Sequence, residues 1–276
     1  TILNTIRALD TSDGAGVRLK RALGYNPMVR LDPFLMLDAF SSDNPDDYIA
    51  GFPPHPHSGF ETVTYLMEGH MKHRDHLCNE GDLQQGGVQW MTAGRGIIHE
   101  EMPQQQDGLL RGFQLWINLP AAEKMKAAGY RDITDTEIPR LDLPKGGQIK
   151  AIAGEVTIGN QVISAPVKGG STDPLYLDVK LRADETVTVP LTQGYNAFLY
   201  LFEGQVSIAG EAVKSDHLAT FTDGDKVSLV AGDHGARLLL LAGKPIGEPI
   251  AQYGPFVMNT REEIVQAIED HRAGKF

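Results

Sequence analysis

The chain has 276 residues, a formal net charge of −11, and 41% hydrophobic against 22% charged residues. This is the make-up of a globular protein long enough for two ordinary domains, each able to bury a core. Acidic and basic residues are interspersed, with no run of five basic side chains, so direct nucleic-acid binding is disfavoured. The single cysteine, Cys78, fits a reducing compartment and is read as a bystander. With no signal-peptide pattern and no apolar stretch of about 18 residues, the expectation is a cytoplasmic protein that does not cross a membrane.

Thirty glycines and sixteen prolines suit many short strands joined by tight turns. In chain order, the first informative string is Pro53-Pro54-His55-Pro56-His57-Ser58-Gly59-Phe60-Glu61. Residues before proline are driven into extended conformations, so His55 and His57 face one way with Pro56 turned the other. Pro56 has no N–H for a ladder, which suits an edge strand. Alternation predicts a strand over 61–67, with Val63, Tyr65 and Met67 on one side, ended by Glu68-Gly69. His70, His73 and His76 lack a common parity and are read as solvated. Turns are expected at Glu80-Gly81-Asp82 and Gly86-Gly87, and further strands over 88–92, 97–102 and 112–118.

A helix is predicted over 121–128, after Pro120 and before Gly129, and a domain boundary within 130–148. Tyr65-Leu66-Met67-Glu68-Gly69 is echoed by Tyr200-Leu201-Phe202-Glu203-Gly204, half a chain later, which points to duplication of one β domain. The expected domains are 1–135, holding the metal, and 136–276, without metal and ending in a short helix. Thr260-Arg261-Glu262-Glu263 reads as a capping box opening that helix, with Ile264, Val265 and Ile268 as its apolar stripe. Strands this numerous, with so few helices, make the chain all-β, a sandwich or barrel.

The second histidine string is Gly94-Arg95-Gly96-Ile97-Ile98-His99-Glu100-Glu101-Met102. By parity His99 and Glu101 share a face and Glu100 points away. If the two strings meet, three imidazoles and one carboxylate converge, a set for iron, manganese, cobalt, nickel or copper with positions left open for chemistry. Glu61 shares parity with His57 and is an alternative carboxylate; Gly59 is a candidate bulge, across which parity fails.

The run from His55 to Gly69 and the run Gln89-Trp90 to Pro103 are similar to the pirin family, as are Leu31–Asp38 and Gln114–Pro120. The resemblance covers roughly the first 120 residues in order. It implies a bicupin, two stacked antiparallel β-barrels with a few short helices, and one divalent transition metal. The ion expected first is Fe(II), with Mn, Co, Ni, Cu or Zn as alternatives. It also implies His55, His57, His99 and Glu101 as the ligands, ahead of Glu61. The positions equivalent to His55, His57 and Glu61 in the second half are Pro190, Thr192 and Asn196, poor ligands all.

The function implied is a quercetin 2,3-dioxygenase, an oxidoreductase cleaving a flavonol with O2. Glu101 would be the catalytic base, and Phe52, Phe60, Met67 and Trp90 are candidates for the walls of a flat pocket. The alternative is a metal-dependent interaction protein or transcriptional co-regulator of pirin type, whose real ligand is a protein partner.

Overall fold

The computed structural model describes residues 1–26 and 29–276. They form two units. The first comprises residues 10–30, 34–135 and 246–276; the second comprises 1–9, 31–33 and 136–245. One division does fall after Asp135, yet the contiguous halves 1–135 and 136–276 are not what packs. The strand Ile2–Arg7 pairs antiparallel with His217–Phe221 and so joins the second unit. The C-terminal helix joins the first.

Two large antiparallel sheets make up most of the first unit. The seven-stranded sheet runs Gly129–Ile133, Val88–Thr92, Phe60–Glu68, Leu110–Asn118, Phe34–Ser42, Val17–Leu23, Leu9–Asp13. The four-stranded sheet runs Phe52–His57, Ile97–Pro103, His70–Asp75, Glu80–Gln84. Both orders are linear, so these are open sheets facing one another, not the closed barrels expected. Between them lie Val17, Leu19, Phe40, Leu66 and Leu110 from one sheet and Met71 and Leu83 from the other. The strand Phe60–Glu68 is buried on both faces from Thr62 to Met67, because it is interior to its sheet and covered on both sides.

The second unit is built on a nine-stranded sheet whose long strands Asn196–Ile208 and Lys226–Gly243 pair antiparallel. Leu177, Val179, Leu199, Leu201, Leu238 and Leu240 belong to its core. The pentapeptide echo is structural. Tyr65 and Tyr200 are both fully buried on interior strands, and Gly69 and Gly204 both take positive φ, 106° and 74°, the first at the bend after its strand and the second at a register irregularity within Asn196–Ile208.

Two local expectations fail for visible reasons. The stretch 121–128 makes only the 3-10 turn Ala121–Glu123. The Lys126 carbonyl is taken by the Arg95 N–H at 2.9 Å, and the Lys124 side chain is drawn inward, so no second helical turn forms. Glu80-Gly81-Asp82 opens the strand Glu80–Gln84 instead of turning. A Cβ on Gly81 would sit 2.7 Å from Gln89 Nε2, so glycine is there for close packing. The C-terminal helix Arg261–Arg272 forms with the capping box as read. It buries Ile264 and Ala267 against Phe256 and Met258, while Val265 stays exposed. Among the described residues no helix is long and apolar enough to cross a membrane.

Lys124 ties this C-terminal segment down. It is buried, and its ammonium donates to Gly59 O at 2.8 Å, Asn118 Oδ1 at 2.6 Å and Val257 O at 3.0 Å. Burial lowers its pKa to about 8, so it remains charged at neutral pH with all three protons placed. Lys124→Met should strand three acceptors and cost about 2–4 kcal/mol. Chemical denaturation should show it as a lower midpoint, and limited proteolysis as faster cutting within 246–276. An unchanged midpoint would remove Lys124 from this role.

Candidate metal centre

The centre begins with strand register. Phe52–His57 pairs antiparallel with Ile97–Pro103, placing Ile97 opposite His57 and His99 opposite His55. All three histidines project to the same side of the four-stranded sheet, into the space between the sheets. One ligand nitrogen from each of His55, His57 and His99 falls within 4.8 Å of the others. The ring centroids are 4.4 Å apart for His55–His99 and 4.8 Å for the other two pairs. The register shifts between His99 and Glu101, which brings Glu101 across from Phe52.

Hydrogen bonding distinguishes the ring nitrogens. His55 Nδ1 donates to the Pro53 carbonyl at 2.8 Å, which fixes its proton there and leaves Nε2 as a lone pair. His57 is buried and neither of its nitrogens has a hydrogen-bond partner; His99 Nε2 is likewise buried and bare. Buried polar atoms are nearly always satisfied, so unpartnered nitrogens on the adjacent rings of His57 and His99, beside the lone pair of His55 Nε2, fit an electrophile, and neutral imidazoles are the donors a divalent transition metal takes. Burial pushes His57 and His99 well below the usual histidine range, and the neighbouring imidazoles add to this. The protein therefore presents them neutral, as ligation requires.

Glu101 is buried too, but its carboxylate is not among the atoms within 4.8 Å. It lines the same cavity as His55 and His57. Thr64 Oγ1 lies 2.9 Å from Glu101 Oε1 and 2.5 Å from the Gln114 side-chain oxygen. One hydroxyl proton cannot serve both acceptors, so the consistent arrangement has the Gln114 amide turned to donate to Thr64 and Thr64 donating to Glu101. Oε2 has no hydrogen-bond partner among the described residues.

Glu61 goes elsewhere. Gly59, at φ 91°, turns the chain out of one sheet and into the other, so Glu61 is on a different strand from His57 and parity does not carry across. Its carboxylate accepts from Trp90 Nε1 at 3.1 Å and Thr92 Oγ1 at 2.6 Å. A side chain at Gly59 would overlap the Val257 carbonyl oxygen, so only glycine makes this crossing.

The cavity measures about 570 Å³, within the range of small-molecule sites. Of the four apolar residues expected to wall it, Phe52 does; Phe60, Met67 and Trp90 are not on its surface. Met36, Phe40, Met71 and Trp116 take their place. Trp116 was legible in principle, since it alternates with Gln114 and Asn118 on a strand already identified. Another wall carries Arg21, whose Nε and Nη2 grip Asp38 at 2.8 and 2.7 Å. Burial raises the Asp38 pKa while Arg21 opposes the rise.

The histidines of the following strand do not all lie in solvent. His70 is half-exposed and meets Asp82. His76 Nδ1 accepts the Ile98 N–H at 3.1 Å. His73 is buried beside His99, a correction to its reading as solvated. The differing parities that argued against a cluster put His73 inward with Met71 and turn His70 outward. An apolar residue two positions before a histidine was the overlooked signal.

Known proteins resemble this chain over most of its length. A family model described as Pirin matches residues 16–117, and one described as Pirin C-terminal cupin domain matches residues 176–276. A Pseudomonas aeruginosa protein, named provisionally as a quercetin 2,3-dioxygenase, is 52% identical over 266 residues, 95% of this chain and 93% of its own length. Pirin of Mus musculus is 40% identical over 278 residues, 98% of this chain and 92% of its own. The crystal structure of quercetin 2,3-dioxygenase from Acinetobacter baumannii superposes with a TM-score of 0.92 at 32% identity, covering 100% of this chain and 98% of that one.

The buried neutral histidines set a pH dependence for the metal-free protein. Their folded pKa values lie below 6.5, so below that pH the unfolded chain binds more protons and folding is opposed. Stability should be full above about pH 6.5 and fall as the pH drops through the window beneath it. Thermal melts of the metal-free protein between pH 7.5 and 5 should show this, with a shallower slope in His57→Gln. Equal slopes in the two proteins would count against a neutral buried His57.

Proposed function

The chain belongs to the pirin family and has its bicupin architecture, and we propose that it is a metal-dependent dioxygenase that opens the ring of a flavonol such as quercetin. The observation that carries this reading is the convergence of three imidazoles, two of them with buried unpartnered nitrogens, beside a cavity that also holds Glu101. The provisional name of the Pseudomonas relative and the activity of the Acinetobacter neighbour favour the same chemistry. His55, His57 and His99 would hold one divalent ion, Fe(II) first among the candidates, with Glu101 Oε2 free to complete the set. A metal bound there supplies Lewis acidity, favouring the deprotonated form of a coordinated 3-hydroxyl.

The remaining work falls to the chain. Glu101 takes the 3-hydroxyl proton, and the Thr64 hydroxyl on its other oxygen keeps the carboxylate aimed. Phe52, Met36, Phe40 and Trp116 offer apolar walls that hold a flat ring system and exclude water from it. Overall, both atoms of O2 end in the ring-opened ester and one ring carbon leaves as carbon monoxide, so no external reductant is consumed.

Oxygen uptake with quercetin should depend on added metal and vanish in His57→Ala. Glu101→Gln should cut turnover at saturating metal by roughly 10²–10⁴, the usual worth of a positioned base, and weaken metal binding by about 10-fold or more. Glu100→Gln should change neither, and Glu61→Gln should do less than Glu101→Gln. Full activity of metal-loaded Glu101→Gln would remove it as the base. Stoichiometric metal without any oxygen uptake would sink the dioxygenase reading and leave the interaction protein.

A further inference from the structure

His73 is the one buried imidazole that the proposed centre leaves without a task. It is 3% exposed, lies opposite Glu101 in the antiparallel pair with Ile97–Pro103, and places its Nδ1 3.3 Å from His99 Nδ1. The Tyr130 ring packs against it at 4.6 Å between centroids, inclined 67°, so the imidazole is held between His99 and Tyr130. His73 Nε2 has no hydrogen-bond partner among the described residues.

Two facing Nδ1 atoms make a hydrogen bond only if one carries the proton and the other does not. His99 Nε2 is the bare atom of its ring, and a neutral imidazole that offers a lone pair at Nε2 carries its proton on Nδ1. We propose that His73 is a positioning residue for His99: its unprotonated Nδ1 accepts the His99 Nδ1–H, which fixes the His99 tautomer and turns Nε2 toward His55 and His57. This rests on the metal reading given above.

The Pro53 carbonyl does the same for His55. Of the three ligand candidates, then, two have their protons assigned by a neighbour, and His57 alone has neither nitrogen engaged. An imidazole acceptor differs from the carboxylate that often stands behind a metal-bound histidine. It orients the ring without adding a second buried negative charge next to Glu101, whose desolvation would be costly.

The test uses the full chain stripped of metal and titrated with Co(II), comparing wild type with His73→Phe, His73→Leu and His73→Asn. Asn keeps a short side-chain acceptor; Phe and Leu keep bulk without one. The Co(II) dissociation constant should rise about 10- to 100-fold in Phe and Leu and return toward wild type in Asn. In proton NMR of the Co(II) forms, wild type should show three solvent-exchangeable, paramagnetically shifted imidazole N–H signals, one each from His55, His57 and His99. Phe and Leu should lose or displace only that of His99. If Phe fails to fold, the contrast of Leu with Asn still decides. Wild-type affinity and all three signals unshifted in Leu, or an Asn variant as weak as Leu, would overturn the role of His73 alone. Failure of wild type to bind any divalent metal would overturn the centre itself, and this inference with it.

Discussion

The site depends on one register, the pairing of Phe52–His57 with Ile97–Pro103. A slip of a single residue would turn His99 to the opposite face of its sheet and separate it from His55. Several features pin the alignment. Pro53, Pro54 and Pro56 confine their strand to the edge of the four-stranded sheet, because they cannot donate to a second neighbour. Just past His57, Gly59 N donates to Gly94 O at 2.7 Å and Ser58 Oγ to Arg95 O at 2.9 Å. These bonds lock the turn before Ile97 to the end of the His55 strand. The irregularity between His99 and Glu101 then spends the one residue of slack that lets a carboxylate reach the cavity.

The electrostatic design follows from where charge is allowed. Of the three convergent imidazoles, His57 and His99 are kept neutral by burial, and the buried carboxylate beside them is Glu101, which accepts from the Thr64 hydroxyl. Away from the imidazoles, Arg21 grips Asp38 through two parallel hydrogen bonds and reaches Asp13 Oδ2 at 3.1 Å as well, so one guanidinium ties two carboxylates into a wall of the cavity and stiffens it.

Much of this was legible in the residues. His-x-His bracketed by prolines and His-x-Glu on a later strand carry their own geometry, because alternation along a strand decides direction without knowledge of the fold. The capping box at Thr260 is legible for the same local reason. What was not legible depends on distant partners. The helical pattern over 121–128 loses to the Arg95 N–H and to the three acceptors around Lys124. Gly81 looks like a turn until Gln89 and Asp132 are packed against it. His73 looked solvated because its strand was not recognised as one, so the inward parity shared with Met71 went unread. The allocation of the chain ends was beyond reach, since nothing in Ile2–Arg7 names His217–Phe221 as its partner.

That allocation constrains the order in which the molecule can be made. A ribosome releases residues 10–135 long before 246–276, yet the later segment supplies Val257 and Pro255, which close around Ser58, Gly59 and Lys124 next to His57. The first unit therefore waits, its strands paired but Lys124 short of an acceptor, while the whole second unit is synthesised. Domains generally mature in the order they emerge; here the earlier unit is finished last. A nascent chain paused anywhere before residue 246 would expose an incomplete histidine pocket.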